Sequence, residues 1–588
     1  MNKLLIHINR LTLAGIFLSL VGSSFCNFSI PSCMHDEYGE CEANAGDGGS
    51  EVRSYVSLSF TIPSSHTAYT PKQMRADGPT GGEQGDGEEG GQPDENAIQS
   101  AAAFLYYGDA MVNSKPDIPV TLVEFNKVSQ SAGGTTYVTE SKPVSLRNGS
   151  YRVLVVGNHP DLSWARTDAT LTLGEVRDHI EENAWRQKEG GGETNFLMVS
   201  ADEARPLELN TNPQNNPATT LVNVERVAAR IDYKTLGTYD CGDRSGTVEV
   251  LGAAIVNRLK GKTYLLKRVA DDVQGNNLVY LGKEEIDAQG VPINYVLDPF
   301  TAQKTADWSE ASTLYDEWFG NINQNPNYWA DITKPGTELN NETWRRIGYT
   351  LENIADRQYA DKRYNTGVVF KARFTPKKVI GADTYTPETT FFAKGSTLFA
   401  TMEAMMEHTY GKEVFDNFTA QINACADWNA VKTFAGGLPD NDPSGYKQYL
   451  QKKANEALAA QTQLTDEAKK NLQWPAYMRA ECGYSRDANG DVKLDQKESE
   501  STREALKPFD VRTYENGICY YVWWVRHAND NDDTQTGVME YAIVRNNVYK
   551  INVRSFYTLG GDVPGEEEPV VEVYVKDWTL LPQEDLPM

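Results

Sequence analysis

The sequence predicts a mainly β protein built from β-sandwiches, with a partly helical insertion in its C-terminal half. Runs of alternating apolar and polar residues recur along the chain, and turn residues separate them. Between about residues 398 and 472 the composition changes to Ala, Glu, Lys, Met and Leu, which favour helix. Short strands divided by turns are typical of β-sandwiches. The 588 residues are enough for two to four domains, at roughly 150 residues each.

The N-terminus has the pattern of an export signal. Lys3 and Arg10 supply positive charge, and the apolar run Leu11–Phe25 has signal-peptide length. The run is too short for a convincing membrane-spanning helix. We therefore expect residues 1–32 to be a signal peptide.

A cysteine after the apolar run is the expected site of lipid attachment. A lipoprotein signal places a small residue before the acylated cysteine. Ser32 precedes Cys33, whereas the bulky Phe25 precedes Cys26. Cys33 is therefore the expected anchor of the segment that ends at Arg75. The alternative is plain secretion without a lipid.

The first strand is expected at Tyr55–Ile62, where the sequence alternates with a period of two. A polar tail follows and ends at Arg75. The next stretch, Ala76–Asn96, is dominated by glycine and acids, and we expect a flexible loop there because this composition cannot bury a core. The residues expected to face the core on the first strand are Val56, Leu58, Phe60 and Ile62.

Two domains are expected after residue 75. Residues 76–228 form an N-terminal sandwich that includes a helix at Leu173–Ala184, and residues 229–569 form a C-terminal sandwich. The insertion at about residues 410–505 lies in the second sandwich. Within it, Thr465 with two following acids is a predicted helix start.

The chain ends in a strand-like run, Val570–Leu581, which follows the acidic spacer Gly560–Pro569. A terminal strand beyond a linker is expected to lack a partner in its own domain. Unpaired strands are avoided or used for assembly. The residues predicted to form its apolar face, with a bulge or bend at Lys576–Asp577 between the third and fourth, are Val571, Val573, Val575, Trp578 and Leu580.

The same C-terminal residues carry a resemblance to a known family. The stretches VRNNVYKINVRSFYTLG and VEVYVKDWTLLP, together with Gly367–Lys378 and Val224–Arg230, resemble bacterial fimbrillins, the subunits of type V pili. Among them the chain is most similar to minor-type fimbrial subunits. The resemblance implies two transthyretin-like β-sandwich domains in tandem, with Val224–Arg230 at their junction.

The resemblance also implies a mode of assembly. In fimbrillins an arginine-specific cysteine protease removes the first strand after export, and a terminal strand of another subunit fills the groove. Arg75 followed by Ala76 resembles that processing site, which implies that residues 33–75 are a lipidated propeptide with a removable first strand. Residues 570–588 resemble the donor strand. The implied partners are other copies of the chain, accessory fimbrial subunits, the protease, the outer membrane through the lipid before maturation, and a host or bacterial surface receptor of unknown identity.

The net charge and the absence of two common catalytic motifs argue against several classes of function. The net charge of −26 makes nucleic acid and anionic membrane surfaces poor partners. Neither HExxH nor GxSxG occurs, so we expect no enzyme, no catalytic residue and no cofactor. The alternatives to a fimbrial structural subunit are a fimbrial anchor or tip protein and a surface glycan-binding lipoprotein. The last would use exposed aromatics such as Trp523 and Trp524, of which one is expected in the core and one at the rim.

Two smaller features leave alternatives open. Residues Asp487–Glu498 space oxygen ligands like a calcium loop, but Val492 stands where glycine is needed, and a β-hairpin turning at Asn489–Gly490 is the alternative. No metal site is predicted. The cysteines are thinly spread, and a disulfide between Cys425 and Cys482 is conceivable without further support.

Overall fold

The computed structural model describes the greater part of the chain after residue 52. The described residues are 53–62, 84–108, 116–131, 136–166, 170–182, 184–187, 194–201, 204–241, 246–259, 261–270, 280, 285–286, 292–301, 304, 312–316, 318–319, 337–339, 344–354, 364–494, 501–528, 537–565 and 569–579. The predicted signal peptide, Cys33, Arg75, Ala76 and Leu580 lie outside them.

The first part of the described chain consists of short strands and two short helices. The strands are β1 (Arg53–Thr61), β2 (Gln84–Gly90), β3 (Ala101–Tyr107), β4 (Val120–Phe125), β5 (Val128–Gln130), β6 (Tyr137–Thr139), β7 (Lys142–Ser145), β8 (Gly149–Gly157), β9 (Ile180–Glu181), β10 (Trp185–Gln187), β11 (Thr194–Phe196), β12 (Met198–Ser200), β13 (Arg205–Leu209) and β14 (Ala218–Arg226). The helices are α1 (Pro93–Asn96) and α2 (Leu173–Asp178).

Later strands surround a run of helices. The strands are β15 (Ala229–Lys234), β16 (Thr238–Asp240), β17 (Gly246–Val256), β18 (Arg258–Leu259), β19 (Thr263–Tyr264), β20 (Arg268–Val269), β21 (Glu285–Ile286), β22 (Pro292–Ile293), β23 (Val296–Leu297), β24 (Tyr315–Asp316), β25 (Thr337–Glu338), β26 (Trp344–Thr350), β27 (Gly367–Pro376), β28 (Phe391–Lys394), β29 (Thr397–Phe399), β30 (Tyr484–Arg486), β31 (Val492–Leu494), β32 (Arg512–Tyr514), β33 (Ile518–Trp524), β34 (Asn547–Ser555) and β35 (Val570–Thr579). The helices are α3 (Met402–Tyr410), α4 (Lys412–Asp416), α5 (Phe418–Ala424), α6 (Trp428–Gly437), α7 (Tyr446–Ala459), α8 (Asp466–Leu472), α9 (Trp474–Cys482) and α10 (Thr502–Leu506).

The N-terminal strands form one 10-stranded sheet in the order β4-β3-β8-β12-β14-β1-β6-β5, with β13 also paired to β8 and β7 to β1. Its inner face encloses a hydrophobic core, called here the first core, which includes Val56, Leu58 and Phe60 of β1 and Val153 of β8. Strand β1 is therefore an interior strand of this sheet.

The C-terminal strands pack as two sheets face to face. One has six strands in the order β2-β35-β34-β15-β26-β25, and the other has four in the order β16-β17-β27-β33. Buried residues from both, among them Ile231, Val248, Phe370 and Ile551, form the second core. This arrangement is a β-sandwich, and the predicted mainly β fold with a helical region in the C-terminal part is confirmed.

The helices α3 to α10 leave and rejoin the second domain at neighbouring strands. Strands β29 and β32 precede and follow them, and both pair with β28. The helices enclose a core of their own that includes Met405, Ile422, Leu450 and Met478. The predicted helix start at Thr465 is confirmed, since its side chain accepts a hydrogen bond from the Ala468 amide at 3.1 Å.

Two predictions about local structure are wrong. Residues 84–96 are not a loop but strand β2 followed by helix α1, because β35 supplies backbone partners and buried cations pair with the acids of this segment. The predicted helix at Leu173–Ala184 ends at Asp178, because Ile180 and Glu181 pair instead with Tyr264 and Thr263.

Candidate functional site: the first and last strands

Strand β1 is held on both sides along its length. It runs parallel to β14, with Val56 opposite Ala218 and Thr61 opposite Asn223. On its other side it is antiparallel to β7 and β6. A sheet from which β1 is removed therefore has an open groove between β14 and the β6–β7 pair.

The inner face of β1 is fully enclosed, as the sequence predicts. The side chains of Val56, Leu58, Phe60 and Ile62 are at most 2% exposed. Polar contacts add to this packing, since the Thr139 side chain accepts a hydrogen bond from the Leu58 amide at 2.9 Å. The Ser57 hydroxyl donates to the Thr139 carbonyl at 3.0 Å.

The last strand does not lack a partner, contrary to the expectation from the sequence. Strand β35 lies between β34, to which it is antiparallel, and β2, to which it is parallel. The preceding spacer is also anchored, because Gly561 and Tyr520 exchange two backbone hydrogen bonds of 2.8 and 3.0 Å. A terminal position and an acidic spacer are thus compatible with a strand that is paired on both edges.

The predicted apolar face of the last strand is divided between two cores. Val571, Val573 and Val575 lie in the second core, whereas Trp578 lies in the first core. The pairing of β34 with β35 continues without a shift through Lys576 and Asp577. The expected bulge is not in β35 but opposite it, because the pairing of β2 with β35 shifts between Gln84 and Glu88 of β2. Regular alternation of β35 therefore turns Trp578 to the opposite face, into the first core.

Trp578 is enclosed by residues of different sheets, among them Arg226 of β14 and Tyr349 of β26. Its ring is stacked on Tyr349 with centroids 5.9 Å apart and meets the edge of Phe196 at 5.3 Å. The Arg226 guanidinium lies 4.3 Å from the ring centroid and donates a hydrogen bond of 2.8 Å to the Trp578 carbonyl. The end of the last strand is therefore part of the junction between the 10-stranded sheet and the six-stranded sheet.

The segment that follows the predicted processing site contributes buried charge to this junction. The Glu95 carboxylate of α1 accepts hydrogen bonds from Arg230 at 2.7 Å, Arg346 at 2.8 Å and Tyr349 at 2.6 Å. Glu89 of β2 pairs with Lys550 at 2.9 Å. These contacts bind the segment to strands of the six-stranded sheet.

Burial and charge shift several pKa values at the junction in different directions. Burial alone would raise the pKa of Glu95, but the charge of Arg230 and the hydrogen bond from Tyr349 outweigh it, so this pKa lies below its usual value. Burial raises the pKa of Asp232 to about 6, although Arg230 opposes the shift. Burial lowers the pKa of Arg226 to about 9.

The sequence analysis missed the polar residues of this junction. Arg226 and Arg230 stand in the segment Val224–Arg230 that resembles fimbrillins, and both side chains are fully buried. Two arginines and Glu225 among the apolar residues of this stretch are the signal that would have indicated them. Nothing near Glu95 in the sequence distinguishes it from the exposed acids before it.

The structure decides between the alternatives for the calcium-like loop and for the pair Cys425 and Cys482. Residues 484–494 form the β-hairpin alternative, with the Asp487 carboxylate accepting the amide of Asn489 at 2.8 Å, while Asp495 and Glu498 lie outside the described ranges. Within those ranges no group of three or more His, Cys, Asp or Glu side chains is placed to hold a metal. Cys425 and Cys482 are free thiols rather than a disulfide.

The aromatic pair considered for glycan binding is buried. Trp523 belongs to the second core, and Trp524 on the opposite face packs against Phe319 at 5.2 Å. The expectation that one of the two rings lies at the rim is therefore wrong, because a segment outside the sandwich covers that face. Among the described helices, none has the length and apolar character needed to span a membrane.

Comparison with known protein families gives a match to the C-terminal segment of this chain. A family model described as "Major fimbrial subunit protein type IV, Fimbrillin, C-terminal" matches residues 512–584, from β32 through the last strand. The resemblance to fimbrillins is thereby confirmed over this segment. No curated protein sequence matches the chain.

Three solved structures align with about nine-tenths of this chain at low sequence identity. A candidate cell adhesion protein from Parabacteroides distasonis is 11% identical, with 91% of this chain and 100% of that chain covered and a TM-score of 0.34. The tip fimbrial protein Mfa3 from Porphyromonas gingivalis, with a C-terminal truncation, is 9% identical, with 90% and 100% covered and a TM-score of 0.31. A fimbrilin from the same organism is 12% identical, with 90% and 100% covered and a TM-score of 0.32. Scores of this size carry no weight for a shared fold.

Proposed function

We propose that the chain is a structural subunit of a cell-surface fimbrium, that it polymerises with other copies and accessory subunits by strand exchange, and that it contributes to adhesion. The observation that carries the proposal is the match of residues 512–584 to the C-terminal model of a major fimbrial subunit. The position of β1 in the first domain supports the exchange, since this strand lines a core and is followed by an acidic segment that belongs to another sheet.

Maturation is proposed to proceed in two steps. The precursor is attached to the outer membrane through a lipid on Cys33, and an arginine-specific protease then cuts between Arg75 and Ala76. A cut there falls between β1 and β2, which lie in different sheets. It therefore separates the first strand from the later chain without breaking any strand of the described structure.

Loss of the first strand leaves a groove that can bind another strand tightly. Val56, Leu58, Phe60 and Ile62 are together worth on the order of 6–12 kcal/mol of apolar burial, at roughly 1.5–3 kcal/mol for each side chain. Backbone hydrogen bonds to β14 and β6 add geometric specificity. The proposed replacement is the last strand of another copy, with Val571, Val573 and Val575 turned into the groove.

The exchange moves the last strand between two comparable sites. In its own subunit, Val571, Val573, Val575 and Trp578 are buried, and leaving that sheet costs about as much apolar burial as the groove returns. Which of the two sites the last strand prefers then depends on contacts that the groove provides and the strand's own sheet does not. Cleavage by the protease makes only the loss of the first strand irreversible.

A fimbrial anchor or tip protein is the second candidate. One observation favours it: both terminal strands are fully paired within a single chain, as a subunit that keeps its first strand requires. An anchor would retain the lipid on Cys33 as well as β1. The two candidates differ in whether residues 33–75 remain in the fibre.

N-terminal sequencing of purified fibres separates the candidates. A polymerising subunit is expected to begin at Ala76, and Arg75→Ala is expected to give a longer, monomeric precursor. Arg53→Ala is the matched control, because Arg53 is the first residue of β1 and a cut after it would leave Val56–Ile62 attached to the later chain. Fibres that contain residues 33–75 intact would exclude cleavage and favour the anchor.

The lipid is tested independently of cleavage. Labelling with a fatty-acid analogue is expected to persist in Cys26→Ala and to disappear in Cys33→Ala. The reverse pattern would transfer the lipid to Cys26, and labelling of neither cysteine in the wild-type protein would support plain secretion.

A further inference from the structure

We infer that Tyr574 of the last strand sets the direction and register of the exchange, by covering Leu221 and Val138 on the outer face of the neighbouring copy. The inference rests on the proposed strand exchange and identifies the contact that makes the groove a better site than the strand's own sheet. The partner is a second copy of this chain.

The outer face of the first strand leaves an apolar pair uncovered. Ser59 of β1 stands opposite Leu221 of β14 on one side and opposite Val138 of β6 on the other. Leu221 is 52% exposed and Val138 is 37% exposed. The short serine side chain between them reaches over neither. Directly opposed residues on adjacent strands lie within contact distance, so a larger residue at this place would touch both.

The alternation of the last strand determines what would occupy that place. If Val571, Val573 and Val575 replace Val56, Leu58 and Phe60 in the same chain direction, the residue at the place of Ser59 is Tyr574. An aromatic ring is then flanked by a leucine and a valine, a favourable combination across strands. In its own sheet Tyr574 is only half-buried, and its hydroxyl donates to Glu572 at 2.9 Å.

The opposite chain direction gives a poor fit. With the three valines in reverse order, Glu572 would occupy the place of Ser59, between Leu221 and Val138. In its own sheet the Glu572 carboxylate pairs with Arg554 and accepts a hydrogen bond from Asn552 at 3.3 Å. Placing this charge between two aliphatic side chains would remove those partners, which is unfavourable.

Registers shifted by two residues in the same direction also fit less well. A shift one way turns Asp577 toward the place of Phe60. A shift the other way puts Pro569, which has no amide hydrogen to donate, at the place of Val56 and again sets Glu572 between the aliphatic pair. In the favoured register Asp577 reaches only the place of Ile62, where a bulge would substitute Trp578.

Cysteine pairs on two different copies test the register. Full-length chains carrying either Tyr574→Cys or Glu572→Cys are mixed with chains carrying Leu221→Cys or Val138→Cys, digested at arginine and oxidised. The four described native cysteines are buried and do not compete. Tyr574→Cys is expected to form covalent dimers with both acceptor variants, and Glu572→Cys with neither.

Assembly itself gives a second readout. Two lost cross-strand contacts correspond to roughly tenfold in an equilibrium constant, so Tyr574→Ser is expected to lower the equilibrium constant for strand exchange between copies by about that factor. Tyr574→Phe should assemble like the wild type, because the ring rather than the hydroxyl makes the contact. Tyr557→Ser is the control, since Tyr557 is an exposed tyrosine outside the last strand.

The outcomes separate this inference from the proposed function. Dimers formed through Glu572→Cys alone, or unchanged assembly of Tyr574→Ser, overturn the proposed register. Strand exchange itself is still supported if Val573→Cys forms covalent multimers with a cysteine placed in the groove of another copy. Absence of polymers and of every cross-link in the wild-type background overturns both.

Discussion

Arg226 and Trp578 are 352 residues apart in sequence, yet the guanidinium of the first lies 4.3 Å from the ring centroid of the second and donates to its carbonyl at 2.8 Å. Arg226 ends β14, the strand beside β1, and Trp578 lies near the end of β35. The neighbour of the first strand and the last strand are therefore in direct contact within one chain. A change at either terminal strand is therefore expected to alter the packing of this same junction.

Truncation of Trp578 is expected to destabilise the subunit strongly. Trp578→Ala should lower the free energy of unfolding by about 3–5 kcal/mol, because the ring is fully buried against Tyr349, Phe196 and Arg226. Denaturant unfolding of the full chain measures the change. Tyr557→Ala should alter stability by less than about 0.5 kcal/mol, since that ring is exposed. A loss for Trp578→Ala as small as the control would mean that the last strand is not seated in the first core.

The inner face of the first strand gives a matched test in the precursor. Leu58→Ala should lower the free energy of unfolding by about 2–5 kcal/mol, because the side chain is fully buried and its removal leaves a cavity. The exposed Arg53→Ala on the same strand is the control. After cleavage and loss of β1 the difference between Leu58→Ala and the wild type should disappear, and its persistence would show that β1 remains bound.

The buried carboxylate of Glu95 is expected to hold the junction together. Glu95→Ala should lower the free energy of unfolding by about 3–5 kcal/mol, because the fully buried Arg230 and the half-buried Arg346 would lose this partner. Since folding lowers the pKa of Glu95, its contribution is complete above the unfolded pKa and is lost as the pH falls through the lower folded value. Urea unfolding at pH 7 and at pH 3 tests the sign: the cost of the substitution should shrink at the acidic pH. The exposed Glu88→Ala should show no such trend.

His527 is expected to make the second domain sensitive to acid. The imidazole is fully buried between the hydroxyls of Tyr549 at 2.9 Å and Tyr280 at 3.1 Å, and burial lowers its pKa to about 3. A depressed folded pKa gives stability that is present above the unfolded pKa, near 6.5, and is lost as the pH falls toward 3. Between pH 7 and pH 5 this loss is about 2 kcal/mol.

The variant His527→Gln tests this assignment, because it keeps hydrogen-bonding groups but does not titrate. Its stability should fall less than that of the wild type over the same pH interval, whatever its stability at pH 7. A parallel decrease in both proteins would mean that His527 is not responsible for the acid sensitivity.

Much of the first strand was readable from the sequence. Strict alternation over Tyr55–Ile62 predicted which four side chains face a core, because a strand with one buried face requires a period of two. The same reasoning predicted the helix start at Thr465, which depends only on local hydrogen bonding. The likeness of the C-terminal stretches to fimbrillins was also visible, and it agrees with the family match over residues 512–584.

The sequence by itself determined the first strand, which of its faces is apolar, and the helix start at Thr465, because these depend on patterns over a few residues. Only the tertiary structure decided that Glu89 and Glu95 lie against buried cations, that the last strand is paired on both edges, and that Trp578 turns away from Val575 toward the other core. Each of these depends on a partner hundreds of residues distant. An acid-rich or terminal segment carries no local mark of the cation or sheet edge that will bind it, so its burial follows from the fold alone.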